Sequence, residues 1–200
     1  MSYLDIPGFM APEVEDFYSM LAARVPADGA VVEVGVAYGR SLAYLVSALL
    51  AEDKRLVRVF GVDSWSDFMG CEREDWIGER ARSLKSVYAS PEAACAAELQ
   101  AHCPSAINVA RLVHLPSTKA AIALSSFGPF DAVFIDASHT YEDTRDDILF
   151  WAPLVKRGGL LAGDDYAPEF PGVVRAVDEY VRSRGPNFTT KGRVWIREVT

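Results

Sequence analysis

FIDASHTYED, residues 134–143, breaks from an apolar run into acids and an imidazole. Val133, Phe134 and Ile135 read as a buried strand that Asp136 ends, and His139 stands three residues on. In open α/β sheets, ligands bind outside the carboxyl ends of the strands. A carboxylate and an imidazole at such an end mark a candidate site.

Outward from this stretch, short β-rich runs alternate with helical patterns, which predicts a parallel sheet with crossover helices. Strands are expected at VVEVGV (31–36), VRVFGVD (57–63), ARLVHL (110–115), DAVFID (131–136) and GLLAGDD (159–165). Helices are expected after Pro12 and over 40–52, 140–154 and 173–184, the last stopping before Gly185-Pro186. Residues 188–199 read as a hairpin around Lys191-Gly192. Between the second and third strands, 64–108 is longer than one crossover needs and carries two helical patterns. The expected fold is a Rossmann-like, doubly wound, mostly parallel sheet with helices on both faces and a C-terminal antiparallel hairpin. One domain over 1–200 is expected, with a helical insertion at 64–108.

Composition bounds the partners. A net charge of −8 with scattered Lys and Arg argues against nucleic acid, which is held through clustered basic residues. No stretch approaches the ~20 apolar residues of a membrane span. Cys71, Cys95 and Cys103 share no metal-ligand spacing and read as free thiols, so a cytoplasmic location without a signal peptide is expected. A small-molecule substrate fits best; a homo-oligomer stays open.

VEVGVAYGRS (32–41) joins the first strand to its helix with glycines at 35 and 39. A dinucleotide fingerprint needs G-x-G and a third glycine, but Ala37 and Arg40 stand at those points. Glu33 sits poorly with a pyrophosphate and suits a cofactor bearing an ammonium and a sulfonium. Asp63 ends the second strand, 28 residues after Gly35, near where an acid binding ribose hydroxyls belongs. The plainer alternatives are a strand-to-helix turn for the glycines and a helix cap for Asp63.

VEVGVAYGRSLAYL, FGVDSW and FIDASHTYEDTRDDILFWAPLVKRGGLLAGDDY resemble class I S-adenosylmethionine-dependent methyltransferases over residues 30–166. The nearest likeness is to the small macrocin O-methyltransferase-like family. The resemblance implies S-adenosylmethionine as cofactor, with Glu33, Gly35, Tyr38, Gly39 and Ser41 around its methionine moiety. Asp63 would take the ribose, and Ser64, Trp65 and Ser117 would lie on the adenine side. Trp65 reads equally well as core.

Three acids end two adjacent strands: Asp136, Asp164 and Asp165. Neighbouring strands lie ~4.8 Å apart, so these carboxylates can meet over one ion. Without a nearby Lys or Arg they would repel one another, and an all-oxygen set suits Mg²⁺. The resemblance agrees, since its metal-dependent O-methyltransferases place acids at these strand ends. The alternatives are solvated or capping acids, with Asp136 only orienting the cofactor. His139, near a helix N-terminus, should be neutral and able to take a proton from a hydroxyl. Its alternative is a helix N-cap. In related catechol-type enzymes the base at this spacing is lysine; histidine matches the macrocin-like branch and shifts the expected acceptor towards sugar or natural-product hydroxyls. The expected function is Mg²⁺-assisted O-methylation of a small molecule, with His139 and Asp136 catalytic. An S-adenosylmethionine-binding module and a metal-independent N- or C-methyltransferase are the alternatives. A nicotinamide-dependent oxidoreductase is disfavoured by the missing third glycine. The acceptor pocket is expected from 64–108 and APEFPG (167–172), a loop able to close over the site.

Overall fold

Five apolar runs form the parallel strands; the central ones are covered on both faces, and ARLVH, at the sheet edge, is only partly buried. They are β1 (Ala30–Val34), β2 (Arg58–Asp63), β3 (Ala110–His114), β4 (Phe130–Ile135) and β5 (Val155–Gly163). The computed structural model describes residues 2–185 and 187–200, so the Pro186 part of the expected helix stop lies outside the described residues. The tail supplies the expected hairpin, β6 (Phe188–Lys191) and β7 (Val194–Glu198). Strand order is β3-β2-β1-β4-β5-β7-β6, with β7 antiparallel to β5 and the other pairings among β1–β5 parallel. The sheet is thus Rossmann-like with an antiparallel edge.

Helices α1 (Pro12–Arg24) and α2 (Arg40–Ala51) cover one face, packing Phe17, Tyr18, Leu42 and Leu45 against Phe134. The Phe17 and Phe134 rings stack at 5.1 Å. On the other face, α7 (Tyr141–Trp151) and α8 (Pro171–Arg184) bury Ile148, Trp151 and Val177 against Val133 and Leu161. Each such apolar side chain contributes roughly 1.5–3 kcal/mol by leaving water. Thr140 starts α7, its side chain accepting from the Asp143 N–H.

Residues 64–108 hold the two expected helices, α3 (Trp76–Val87) and α4 (Pro91–His102), and a further short one, α5 (Pro104–Val109). Another helix, α6 (Ser117–Leu124), follows β3, where the sequence suggests only a cofactor-side segment. Its eight residues give too few turns for a clear period. β1 stops at Val34, two residues early, because Gly35 turns the chain at φ 96°. No helix among the described residues is long and apolar enough to cross a membrane.

What the fold positions is a crevice. β1 pairs with β2 on one side and β4 on the other, so the chain order reverses there. Ligands bind at such a switch point.

Candidate active site

A cavity of about 810 Å³ opens at this switch point, lined by residues after β1, β2, β4 and β5. Most residues expected around a cofactor reach it: Gly35, Tyr38, Ser41, Asp63, Ser64, Trp65 and Ser117. Glu33 and Gly39 do not line it.

Glu33 lies beneath the cavity floor, 1% exposed, where the Ser41 hydroxyl donates to its Oε1 at 2.5 Å. Glu33 Oε2 and the Tyr18 hydroxyl are buried and find no hydrogen-bond partner among the described residues, though Tyr18 is close enough to favour the charged carboxyl. Burial nonetheless dominates and pushes Glu33 up to about 7. Direct pairing with a cationic ligand, expected from the sequence, is therefore replaced by support of the loop from below. Gly39, at φ 94°, begins α2, and a Cβ there would come 2.8 Å from the Leu99 side chain. Its role is close packing against α4.

Gly35 also differs from expectation. A Cβ on it would meet the backbone carbonyl oxygen of Asp136 at 1.8 Å. The glycine is thus demanded by the neighbouring strand end, before any ligand enters.

Asp63 gathers the loop. Its Oδ2 accepts from the N–H groups of Val36 and Ala37 at 2.9 and 2.8 Å, and Oδ1 from that of Trp65 at 2.8 Å. A carboxylate has roughly four acceptor positions, so one at Oδ1 is left for a ligand hydroxyl. Trp65 is 5% exposed and donates from Nε1 to the Ala37 carbonyl at 2.7 Å, so it is core and cavity wall at once. The Tyr38 hydroxyl donates to the Met69 carbonyl at 2.8 Å, tying this loop to the start of the insertion. Ser117 accepts from the Trp151 indole at 2.9 Å.

The acid strand ends converge because Ile135 of β4 pairs with Gly163 of β5, which sets Asp136 beside Asp164. Burial first, then Asp164 and Glu33, pushes Asp136 up to about 8. The expectation that no Lys or Arg stands near the three acids is overturned. Arg193, in the β6–β7 turn, donates from Nε to Asp164 Oδ1 at 3.0 Å, and its Nη2 pairs with Asp165. Gly163 pairs with Trp195, and that register carries Arg193 to the acids. Nothing local in the sequence says that β7 joins β5, so Arg193 is not legible there.

The group that can share an ion is consequently Asp136, His139 and Asp165, whose ligand atoms all lie within 4.8 Å of one another. Asp164, expected as a third carboxylate ligand, falls outside this group and accepts from Arg193. The set, two carboxylates and an imidazole, fits a divalent cation in donor type. The helix-cap alternative for His139 does not hold, since Thr140 fills that role. His139 Nε2 lies 2.6 Å from Asp165 Oδ2, and its ring packs on Phe170 at 4.5 Å between centroids. Burial first, and Arg193 next, hold its pKa below the ordinary value.

From 64–108, only residues near β2 and Pro91 reach the cavity. The 167–172 loop contributes Phe170. It is already docked: a Cβ on Gly172 would stand 2.5 Å from the His139 carbonyl oxygen. Residues unsuspected from sequence also line the cavity: Phe9 and Met10 before α1, Asp147 on α7, and Arg193. Asp147 is 4% exposed and raised to about 6 by burial, partly offset by a hydrogen bond from Ser117.

A Rossmann-like sheet with a glycine turn, an acid at the β2 end and a cavity at the switch point defines the class I methyltransferase architecture. The family model described as a methyltransferase domain matches residues 32–166, and the chain belongs to that family. It is an S-adenosylmethionine-dependent methyltransferase. Among solved structures, the O-methyltransferase NovP is similar at 23% identity and TM-score 0.64, over 94% of this chain and 78% of NovP. CalS11, a TDP-rhamnose 3′-O-methyltransferase of calicheamicin biosynthesis, is similar at 16% identity and TM-score 0.60, over 93% and 77%. MycE of the mycinamycin pathway, in complex with Mg, S-adenosylhomocysteine and mycinamycin VI, matches at 16% identity and TM-score 0.55, over 96% and 50%. At these identities the likeness is one of fold. No curated protein matches the sequence.

Proposed function

We propose that this chain methylates a hydroxyl oxygen of a small molecule, a sugar or another natural product, with His139 as the base that takes the hydroxyl proton. The observation carrying this reading is the His139–Asp165 pair at the cavity wall. A carboxylate at Nε2 favours the tautomer with its N–H on that side, which leaves Nδ1 as the acceptor. With its pKa held down, His139 is neutral near pH 7. General-base action of this kind contributes about 10²–10⁴ in rate. Support for an oxygen acceptor comes from the names of NovP and CalS11.

S-adenosylmethionine brings the methyl group on a positively charged sulfur. Gly35, Tyr38, Ser41, Asp63, Ser64, Trp65 and Ser117 would hold it, with Glu33 and Gly39 shaping the loop from behind. Asp136 and Asp165 would hold a divalent cation such as Mg²⁺, which when bound would make the acceptor hydroxyl more acidic. The Mg in the MycE complex supports this part of the reading.

Arg193 favours a second reading, in which its guanidinium supplies the positive charge and no metal is needed. Methyl transfer from labelled S-adenosylmethionine to a panel of sugar and natural-product hydroxyls, with and without EDTA, tests both. A methyl ether formed only with metal supports the first reading, and one formed equally in EDTA supports the second. Cofactor binding with methylation only at nitrogen or carbon would sink both.

A further inference from the structure

The cavity wall has a charge asymmetry larger than the proposed cofactor and cation contacts account for. Among the described residues that line it, aspartates outnumber arginines eight to two, and none is a lysine. Both arginines are engaged. Arg40 donates from Nε to the Ile6 carbonyl at 2.6 Å and from Nη2 to the Leu4 carbonyl at 3.0 Å, and Arg193 pairs with Asp164 and Asp165. Lys85 and Arg145 neighbour Asp67 and Asp146, but neither lines the cavity. A bound divalent cation and the net positive charge of the cofactor would still leave the wall negative. Phosphate recognition commonly rests on free guanidinium or ammonium donors, and the guanidinium donors here are spent on protein carbonyls and carboxylates.

The mouth carries a second, independent feature. Phe9 and Met69 each remain 52% exposed while lining the cavity, and Pro7 and Met10, close to Phe9 in the chain, line it as well. Phe9 comes from the segment that Arg40 pins, and the Arg73 guanidinium stacks over its ring at 4.6 Å. A cluster of apolar side chains at the rim of a cavity marks a surface that a ligand covers.

Taking the methyl-transfer reading as its basis, we infer that the acceptor is an uncharged or cationic molecule with an apolar body, and that the wall rejects phosphorylated, nucleotide-linked and carboxylated acceptors. Like-charged walls around a cavity repel anions before contact and deny them a partner after it. The apolar rim gives the body its affinity, and the aspartates set the charge selection.

The test uses three naphthols of one shape: 2-naphthol carrying at its 6-position an aminomethyl, a hydroxymethyl or a sulfonate group. Binding is measured by calorimetry at pH 8, on protein with and without S-adenosylhomocysteine. The cationic and neutral probes are expected to bind at least about tenfold more tightly than the sulfonate, a gap that added salt narrows. Asp147→Asn should narrow it at constant salt. A sulfonate that binds as well as the neutral probe overturns the inference, and so does failure of all three to bind. Binding of S-adenosylhomocysteine in the same samples, together with the methyl-transfer assay above, judges the underlying reading separately.

Discussion

The backbone carbonyl oxygen of Asp136 stands where Gly35 has no side chain, 1.8 Å from the position a Cβ would take. The ends of β1 and β4 are thereby pressed together, and the Asp136 N–H donates to the Val34 carbonyl at 2.7 Å. Gly35→Val must push these strand ends apart and also strain a residue at φ 96°. The expected loss is ~3 kcal/mol or more of stability, read by chemical denaturation, with cofactor binding lost as a consequence. A variant of wild-type stability that fails only to bind S-adenosylhomocysteine would restore a purely ligand-driven role for the glycine.

Asp63→Ala leaves the N–H groups of Val36, Ala37 and Trp65 without their acceptor. Each unsatisfied donor costs ~1–3 kcal/mol when dry, and water reaches this partly exposed site, so a total near ~2 kcal/mol is expected. S-adenosylhomocysteine affinity should fall at least about tenfold, ~1.4 kcal/mol. Stability lost with affinity unchanged would make Asp63 a loop anchor alone.

Glu33 makes stability depend on pH. Burial raises its carboxyl from 4.5 to about 7, so between those values the folded chain holds a proton that the unfolded chain has released. Stability therefore falls as pH rises through that window and levels off above it, by ~3 kcal/mol in all. Glu33→Gln cannot ionise and can still accept from Ser41. Relative to wild type it should gain ~3 kcal/mol between pH 4 and pH 8 in denaturant melts. A difference between the two proteins that ignores pH would count against a buried, proton-retaining Glu33.

His139→Ala is expected to lower kcat by ~10²–10⁴ without changing S-adenosylhomocysteine affinity. Because His139 has a depressed pKa, the wild-type rate should rise with pH and level off below the ordinary histidine value. The variant should lack that plateau and climb with hydroxide. Wild-type kcat in the variant would remove the base.

Arg193→Met leaves Asp164 and Asp165 facing one another without their cation. Its melting temperature should drop in EDTA and recover in millimolar Mg²⁺, by more than the wild-type response, because a bound ion stabilises the folded state by mass action. A melting temperature that ignores Mg²⁺ would argue that no divalent cation takes this place.

By itself the sequence determined the sheet and the address of the site. Apolar runs such as VVEVGV and DAVFID report burial on both faces, and the spacing of Leu42, Leu45, Val46 and Leu49 reports one helix face. Both are local signals. So are Asp63, Asp136, Asp164 and Asp165, which stand where strands run out. The reasons for Glu33 and Gly35 were not local: one depends on what lies beneath the loop and the other on a neighbouring strand's carbonyl. Tertiary structure alone brought Arg193 to Asp164 across 29 residues, through the antiparallel register of β5 and β7. It likewise folded Phe9 over the cavity and turned Asp147 into it. Pattern along the chain records which residues are buried, whereas charge compensation depends on which strands become neighbours, and pairing across the sheet decides that.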